Sequence, residues 1–263
     1  MLSAELIGMK FNKIDTITPF IGVLLLLFLW QRIATSGWVN PILLPTPIAT
    51  LQTLTQIFLQ PEKSLAVDLL ATLRRTLQSF AIAASLGIPI GVLLGSSTRL
   101  YRSVEFAIDF CRSLPASTLI PLFLLFLGLN EANKIVAAAF SASLTIVFNS
   151  AYGVMNASKS RILAAKVMGA NRWQIFKDVL LWESLPQTFV GLRSGISLAL
   201  VYVIVAEMLA GADVGLGKRI LDAQQVLNVK DMYASILMTG VLGYGLNLFF
   251  LVWQKRWVHW SGK

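Results

Sequence analysis

The chain has 263 residues, of which 56% are hydrophobic and 13% charged, and its formal net charge is +9. A mean hydropathy of +0.71 lies far from the soluble average, so the composition excludes a soluble globular protein and indicates an integral membrane protein. Cys111 is the single cysteine, which excludes an internal disulfide and a thiolate metal cluster.

Six apolar runs are candidates for transmembrane helices, which need about 20 residues to cross the hydrocarbon core. The runs lack the alternation of membrane strands, so we expect an all-α, polytopic membrane protein. They are residues 17–33, 76–96, 113–129, 135–156, 194–212 and 232–252. The third run is short and begins beside Arg112, which favours a tilted or partly interfacial span.

The distribution of Lys and Arg predicts how the spans are oriented, because cytoplasmic loops retain basic residues. With both termini in the cytoplasm, twelve of the 22 basic residues fall inside and eight outside, and residues 159–186 form a cytoplasmic loop. The inside set is Lys10, Lys13, Arg99, Arg102, Lys159, Arg161, Lys166, Arg172, Lys177, Lys255, Arg256 and Lys263. The outside set is Arg32, Lys63, Arg74, Arg75, Lys134, Lys218, Arg219 and Lys230. We interpret the positive charge as this retention pattern, and expect no nucleic-acid partner.

Two segments of the first half have a readable helical pattern. Residues 48–59 place apolar side chains on one helical face, which predicts an external helix that either lies on the bilayer surface or packs against the spans. In the second span, Gly87, Gly91 and Gly95 recur every four residues and form a smooth face. Such a face predicts close helix packing, and a surface where helices slide during transport is the alternative interpretation.

Ionisable residues within or beside spans are costly and mark candidate sites. Before the third span, Asp109 and Arg112 stand at i,i+3 spacing, which predicts an interfacial ion pair. Glu207 lies late in the fifth span. Three interpretations stand for Glu207: its carboxylate snorkels to the external interface, it pairs with a basic group such as Arg74 or Arg75, or it lines a pathway across the membrane.

Residues 159–186 predict two short helices that meet at a glycine. Residues 159–168 favour helix, Gly169 permits a turn, and Asn171 with Gln174 predicts a capping box that opens a second helix through Leu185. The second helix places Trp173, Phe176, Val179 and Leu180 on one face. Such an amphipathic surface lies on lipid or inserts into a partner. We expect any residue bulkier than Gly169 or Ala165 to push the two helices apart.

The same loop resembles the coupling loop of binding-protein-dependent ABC importer permeases. Their pattern is Glu-Ala-Ala, three residues, Gly, nine residues, then Ile-x-Leu-Pro, and the matching positions here are Ala164, Ala165, Gly169 and Val179. Leu163 replaces the acidic residue and Trp182 the proline, whereas Leu185 and Pro186 supply a Leu-Pro four residues later. A following Gly191-Leu192-Arg193 is similar to the nitrate, sulfonate, taurine and bicarbonate branch.

The resemblance implies a type I importer permease fold, with residues 1–263 as a single transmembrane domain in a bacterial-type inner membrane. It implies two copies of the chain, a cytoplasmic ATPase bound at the loop, and an external solute-binding protein. The implied ATPase contacts are Ala164, Ala165, Gly169, Ala170, Trp173, Phe176, Val179, Leu185 and Pro186. Arg112, Ser117, Thr118 and Glu207 are predicted pathway residues, and Gly87, Gly91 and Gly95 are predicted packing residues.

The chemistry of ATP hydrolysis is expected to reside in the partner. The sequence contains no Gly-x-x-x-x-Gly-Lys-Ser/Thr phosphate loop and no cluster of ligands at metal spacing, so we predict no catalytic residue, cofactor or metal site. ATP and Mg²⁺ are then used by the ATPase. The predicted solute is a small anion such as sulfonate, taurine, nitrate or bicarbonate. The alternatives are an importer of an uncharged vitamin or precursor, an ion-coupled carrier that uses Glu207, and a non-transport scaffold or membrane enzyme.

Overall fold

A computed structural model of the protein describes residues 13–60 and 64–258, and this part of the chain is all-α, as predicted. Lys10, Lys63 and Lys263 lie outside the described residues. The long helices are α1 (Lys13–Thr35), α3 (Leu65–Gly95), α6 (Glu131–Met155), α9 (Leu181–Leu209) and α11 (Val229–Trp257). The shorter helices are α2 (Pro47–Leu59), α4 (Thr98–Ser113), α5 (Ile120–Leu127), α7 (Lys159–Val167), α8 (Arg172–Ile175) and α10 (Leu216–Gln225).

Four helical segments are long and apolar enough to cross a membrane: α3, α6, Arg172–Leu209 and α11. A fifth span is possible in a broken form, because α4 and Ser117–Leu127 together have the required length but meet at 87°. In α1 the stretch Ile21–Thr35 is apolar but shorter. Each predicted run coincides at least in part with a helix or with this bent pair, so the helix count is roughly consistent with the six predicted spans.

The third span, which was expected to be tilted or partly interfacial, is bent in the structure. Leu114 is extended, which is the conformation that a following proline favours, and Pro115 then leads into a 3₁₀ turn, Ala116–Leu119. Pro121 lies in the first turn of α5, where its missing N–H costs no hydrogen bond. The third run therefore consists mainly of the 3₁₀ turn and the short apolar helix α5, and the polar helix α4 precedes it.

The core is formed by α3, α6 and α9, and glycine allows them to approach closely. A Cβ placed on Gly91 would lie 2.5 Å from the Val147 carbonyl oxygen, and one on Gly95 would lie 2.5 Å from that of Ala151. Gly87 meets Ile146 in the same way at 3.0 Å. The predicted glycine face of the second span therefore packs directly against the backbone of α6.

The helix predicted at residues 48–59 is α2, and Thr46 caps it by accepting a hydrogen bond from the Ala49 amide. It packs against α11 and buries Ile57. Ile48 and Leu51 remain more than half exposed. Both features that the sequence left as alternatives are present, since one face packs on the spans and the other carries exposed apolar side chains.

The second helix of the loop is longer than predicted. It does not end near Leu185 but continues from α8 through a π-helical turn, Phe176–Leu180, into α9 without a break. Pro186 lies inside α9. The predicted start of the fifth span at residue 194 was therefore wrong. The second helix of the loop and the fifth span form one continuous helical rod.

Candidate coupling surface and polar clusters

The corner between α7 and α8 is fixed by backbone hydrogen bonds and side-chain caps. The Gly169 amide donates to the Lys166 carbonyl and the Ala170 amide to the Ala165 carbonyl, both at 3.0 Å, which is the Schellman pattern that ends a helix. Asn171 and Gln174 then form the predicted capping box, with N···O distances of 2.8 and 2.9 Å. The predicted helix, glycine corner and second helix are all confirmed.

Gly169 is required at this corner for its backbone conformation, as the predicted turn implies, and not for the close approach that was also expected. Its φ is +84°, in the left-handed region that glycine adopts without strain. A Cβ at this position would meet no heavy atom within 4 Å. The expectation that a larger residue at Gly169 would push the helices apart was wrong, because the constraint is the backbone conformation.

A concave surface with a cavity volume of about 480 Å³ lies in the angle between α7 and the helix that follows. We call it the coupling surface. Its lining is Arg161, Ala164, Ala165, Met168, Gly169, Ala170, Gln174, Asp178 and Val179. Small side chains form much of this lining, and exposed apolar groups lie around it. Val167, Met168 and Trp173 are 81%, 85% and 68% exposed.

The structure brings together most of the residues predicted for the coupling loop. Ala164, Ala165, Gly169, Ala170 and Val179 line the coupling surface. Trp173 and Phe176 stack on each other with ring centroids 5.5 Å apart. Leu185 and Pro186 lie further along in α9 and do not line the surface. The sequence interpretation missed Arg161, Met168, Gln174 and Asp178, which lie within about one helical turn of the predicted residues.

An ion pair ties α7 to the start of α9. Arg161 binds the Glu183 carboxylate, and the other Glu183 oxygen lies 3.4 Å from the Ser158 amide at the beginning of α7. Glu183 is only 15% exposed. The coupling surface is therefore attached to the rod through two points, the Gly169 corner and this ion pair.

At the opposite end of the bundle, Glu207 is fully buried in a group that we call the Arg75 cluster. Its carboxylate accepts hydrogen bonds from Arg75 Nη1 at 2.6 Å, from Thr72 Oγ1 at 2.9 Å and from the Gly217 amide at 2.9 Å. Arg75 also makes two 2.8 Å contacts to Glu131. The pairing with Arg75 that the sequence left open is observed, and protein donors surround the Glu207 carboxylate.

A second ionic group fastens α10 beside the Arg75 cluster. Arg219 contacts Asp231 at 2.8 and 2.9 Å and Asp68 at 3.1 Å. Burial lowers the pKa of the Arg219 guanidinium, but the hydrogen bonds and charges of Asp231 and Asp68 outweigh that effect and raise the pKa above its ordinary value. Arg219 therefore stays charged and joins α3, α10 and α11.

The other predicted pathway residues lie at the α4–α5 bend. Arg112 pairs with Asp109 at 3.6 Å, as predicted, and its guanidinium stands 3.7 Å from the centroid of the Phe148 ring on α6. Thr118 Oγ1 donates to the Pro115 carbonyl oxygen at 2.6 Å, and Ser117 is half-buried in the same turn. The structure places Glu207 at a different site from these three, and their role in a pathway stays a prediction.

One polar contact inside the bundle was missed from the sequence. Gln187 Nε2 on α9 donates to Asn149 Oδ1 on α6 at 2.9 Å, and Gly191 provides the space beside Asn149. An amide in the middle of a long apolar run is the signal that points to such a contact. Within residues 13–60 and 64–258, no three His, Cys, Asp or Glu side chains come together as a metal site.

A bundle of membrane-length helices with an exposed helical corner at one end defines a membrane-embedded subunit that works with a separate partner. Residues 87–259 match the family described as the binding-protein-dependent transport system inner membrane component, and the chain belongs to that family. It is the transmembrane subunit of an ABC importer, in a multi-pass arrangement in an inner membrane. Membership of the family implies an ATPase and a solute-binding protein as partners.

Individual relatives support this assignment. A probable ABC transporter permease of Brucella abortus is 31% identical, with 99% of both chains aligned. The bicarbonate transport system permease of Synechococcus elongatus is 30% identical and the taurine transport system permease of Escherichia coli 29%, each over 94% of this chain and 91% of the relative. The inward-facing methionine ABC transporter MetNI shares the fold, with a TM-score of 0.65 at 21% identity over 75% of this chain and 99% of that one.

Proposed function

We propose that two copies of this chain form the translocation pathway for a small oxyanion, and that an ATPase docked on the coupling surface drives import. The coupling surface is the observation that carries the proposal. This surface combines exposed apolar side chains with a cavity that is lined by small residues and lies at a hydrogen-bonded corner. A partner can bind such a surface without unfolding it. ATP and Mg²⁺ are used by the partner, and this chain supplies the conduit.

The proposed direction of force runs from the coupling surface into α9. Because α8, the π-helical turn and α9 are continuous, movement of the corner is carried along one rod. From Pro186 to Glu207 that rod extends about 30 Å at 1.5 Å per residue. The Arg75 cluster then joins the far end of the rod to α3 and α6. A partner that moves the corner therefore acts on the whole core.

The proposed orientation places the coupling surface and both termini in the cytoplasm. The count of Lys and Arg supports it, because twelve basic residues then lie on the cytoplasmic side and eight lie outside.

The solute is proposed from the relatives and from charge. Bicarbonate and taurine, which the names of two relatives specify, both present negatively charged oxygen atoms. Arg112 at the bend and Arg193 on α9 are basic groups that favour an anion near a membrane passage. Ser117 and Thr118 would add uncharged donors beside Arg112.

Two variants of Gly169 test whether the corner holds an ATPase. The left-handed conformation is strained for valine but tolerated by asparagine, so we expect Gly169→Val to lose most of the bound ATPase and Gly169→Asn to retain most of it. The measurement is the molar ratio of ATPase to permease after mild-detergent purification from the native host, by quantitative mass spectrometry. Equal size-exclusion profiles check folding. An absence of any ATPase on the unaltered chain, or equal amounts on both variants, contradicts the proposal.

A further inference from the structure

An apolar groove of about 540 Å³ lies beside the coupling surface, between the ends of α3 and α11 and the beginning of α9. Its lining includes Val92, Leu181, Leu185, Phe189, Trp253 and Trp257. The volume falls within the range of about 300–1,000 Å³ that is usual for small-molecule sites. The groove shares no lining residue with the coupling surface.

The groove offers an occupant almost no hydrogen bonds. Its two hydroxyl groups are already used within α9, since Ser184 donates to the Leu181 carbonyl at 2.8 Å and Thr188 to the Ser184 carbonyl at 3.0 Å. Apart from the Lys177 ammonium and the indole N–H groups of its tryptophans, the remaining walls are aliphatic and aromatic carbon. A hydrocarbon chain therefore fits the groove, whereas a polar solute would lose its hydration without replacement.

Basic residues surround the end of the groove nearest the coupling surface. Lys177 lines the groove and is exposed, and Lys255 and Arg256 are exposed beside Trp253 and Trp257. None of these three cations forms an ion pair within the part of the chain that the structure describes. Tryptophan and lysine together at one level of a membrane protein are typical of the headgroup region.

The acidic groups near this end are directed elsewhere. Glu183 binds Arg161, and Asp178 lines the coupling surface on the other side of the helix. The local field at the groove is therefore positive. An occupant with a hydrocarbon chain and an anionic head is complementary to both parts of the site.

We propose that an anionic glycerophospholipid of the cytoplasmic leaflet occupies this groove, with an acyl chain against Leu181 and Trp253 and its phosphate at Lys177. The leaflet assignment rests on the orientation given under the proposed function. Lys177 belongs to the π-helical turn Phe176–Leu180 and Leu181 follows it directly. The lipid thus stabilises the segment that connects the coupling surface to the membrane span.

Lipid retention by the purified permease–ATPase complex tests the proposal without requiring transport. The complex is placed in nanodiscs of phosphatidylcholine with a minor fraction of phosphatidylglycerol, and retained lipids are counted by native mass spectrometry during stepwise delipidation. We expect phosphatidylglycerol to be retained preferentially. Lys177→Glu should weaken retention by at least about fivefold, the factor for one basic residue at an anionic surface. Leu181→Trp, which fills the groove, should abolish it.

Arg102→Glu is the matched control, because Arg102 is an exposed basic residue of α4 that does not line the groove. It should leave retention unchanged. Equal retention of the two lipids by the unaltered complex, or equal effects of Lys177→Glu and Arg102→Glu, would overturn the proposal. Radical labelling of Trp253 and Trp257 provides a further check. If both residues stayed protected from labelling after the lipid was removed, a second copy of the chain would cover the groove, and the proposal would be overturned. Loss of transport alone would leave the lipid result intact, so failure of the two proposals is distinguishable.

Discussion

Replacing Glu207 by glutamine should lower the free energy of unfolding by about 3 kcal/mol, the low end of the usual cost of removing one partner from a buried ion pair, because Arg75 keeps its contacts to Glu131. The Arg75 side chain is 2% exposed and Glu207 is 0% exposed, so no solvent can replace the lost charge. Thermal unfolding of the purified chain in detergent, followed by size-exclusion fluorescence, measures the effect. The amide keeps the shape of the side chain and isolates the electrostatic contribution.

The control for this prediction is Asp222→Asn. Asp222 pairs with Lys218 on α10, but the two side chains are 49% and 34% exposed, so its loss should change stability by less than about 1 kcal/mol. A Glu207→Gln protein with an unchanged melting temperature and no transport would contradict the structural role. That outcome would favour the pathway interpretation of Glu207 instead.

The second large effect is expected from Gly91→Val, which should prevent α3 and α6 from packing. The added Cβ would lie 2.5 Å from the Val147 carbonyl oxygen and 2.7 Å from Ser150 Cβ, so backbone must move. Overpacking usually costs about 1–3 kcal/mol, and a clash with backbone should exceed that range. We expect little monodisperse protein and a melting temperature far below that of the unaltered chain.

Gly240→Val provides the matched control within a transmembrane helix. A Cβ at Gly240 in α11 meets no heavy atom within 4 Å, so this substitution should leave folding intact. If the Gly91 and Gly240 variants melted at the same temperature, the close contact between α3 and α6 would not contribute to stability. Gly91 is buried against α6 and Gly240 is exposed, so the comparison separates the effect of the contact from the effect of placing valine in an apolar helix.

Local patterns predicted much of the fold and the coupling surface. Hydropathy located the helices, the four-residue spacing of Gly87, Gly91 and Gly95 indicated a packing face, and the Asn171 to Gln174 spacing gave the capping box. Each of these depends on residues within a few turns of one another. They are therefore readable from a single chain.

Features that depend on distant residues were not predictable in detail. Arg219 meets Asp68 across 151 positions, and no local pattern links them. The continuity of α9 through Pro186 was also missed, because a proline in a polar loop is usually taken as a helix end. At Gly169 the turn was predicted correctly, but the expected steric limit was wrong, since a left-handed φ and a close contact select the same amino acid.

Uptake into proteoliposomes tests the central claim, that the chain is the conduit of an ATP-driven importer. Permease and ATPase are reconstituted together, the solute-binding protein is supplied on the opposite side, and entry of labelled bicarbonate, taurine and nitrate is followed. The account predicts uptake of one such oxyanion that requires ATP on the coupling-surface side and persists when ionophores collapse the membrane potential. Uptake without ATP that disappears with the ionophores would contradict it and indicate an ion-coupled carrier.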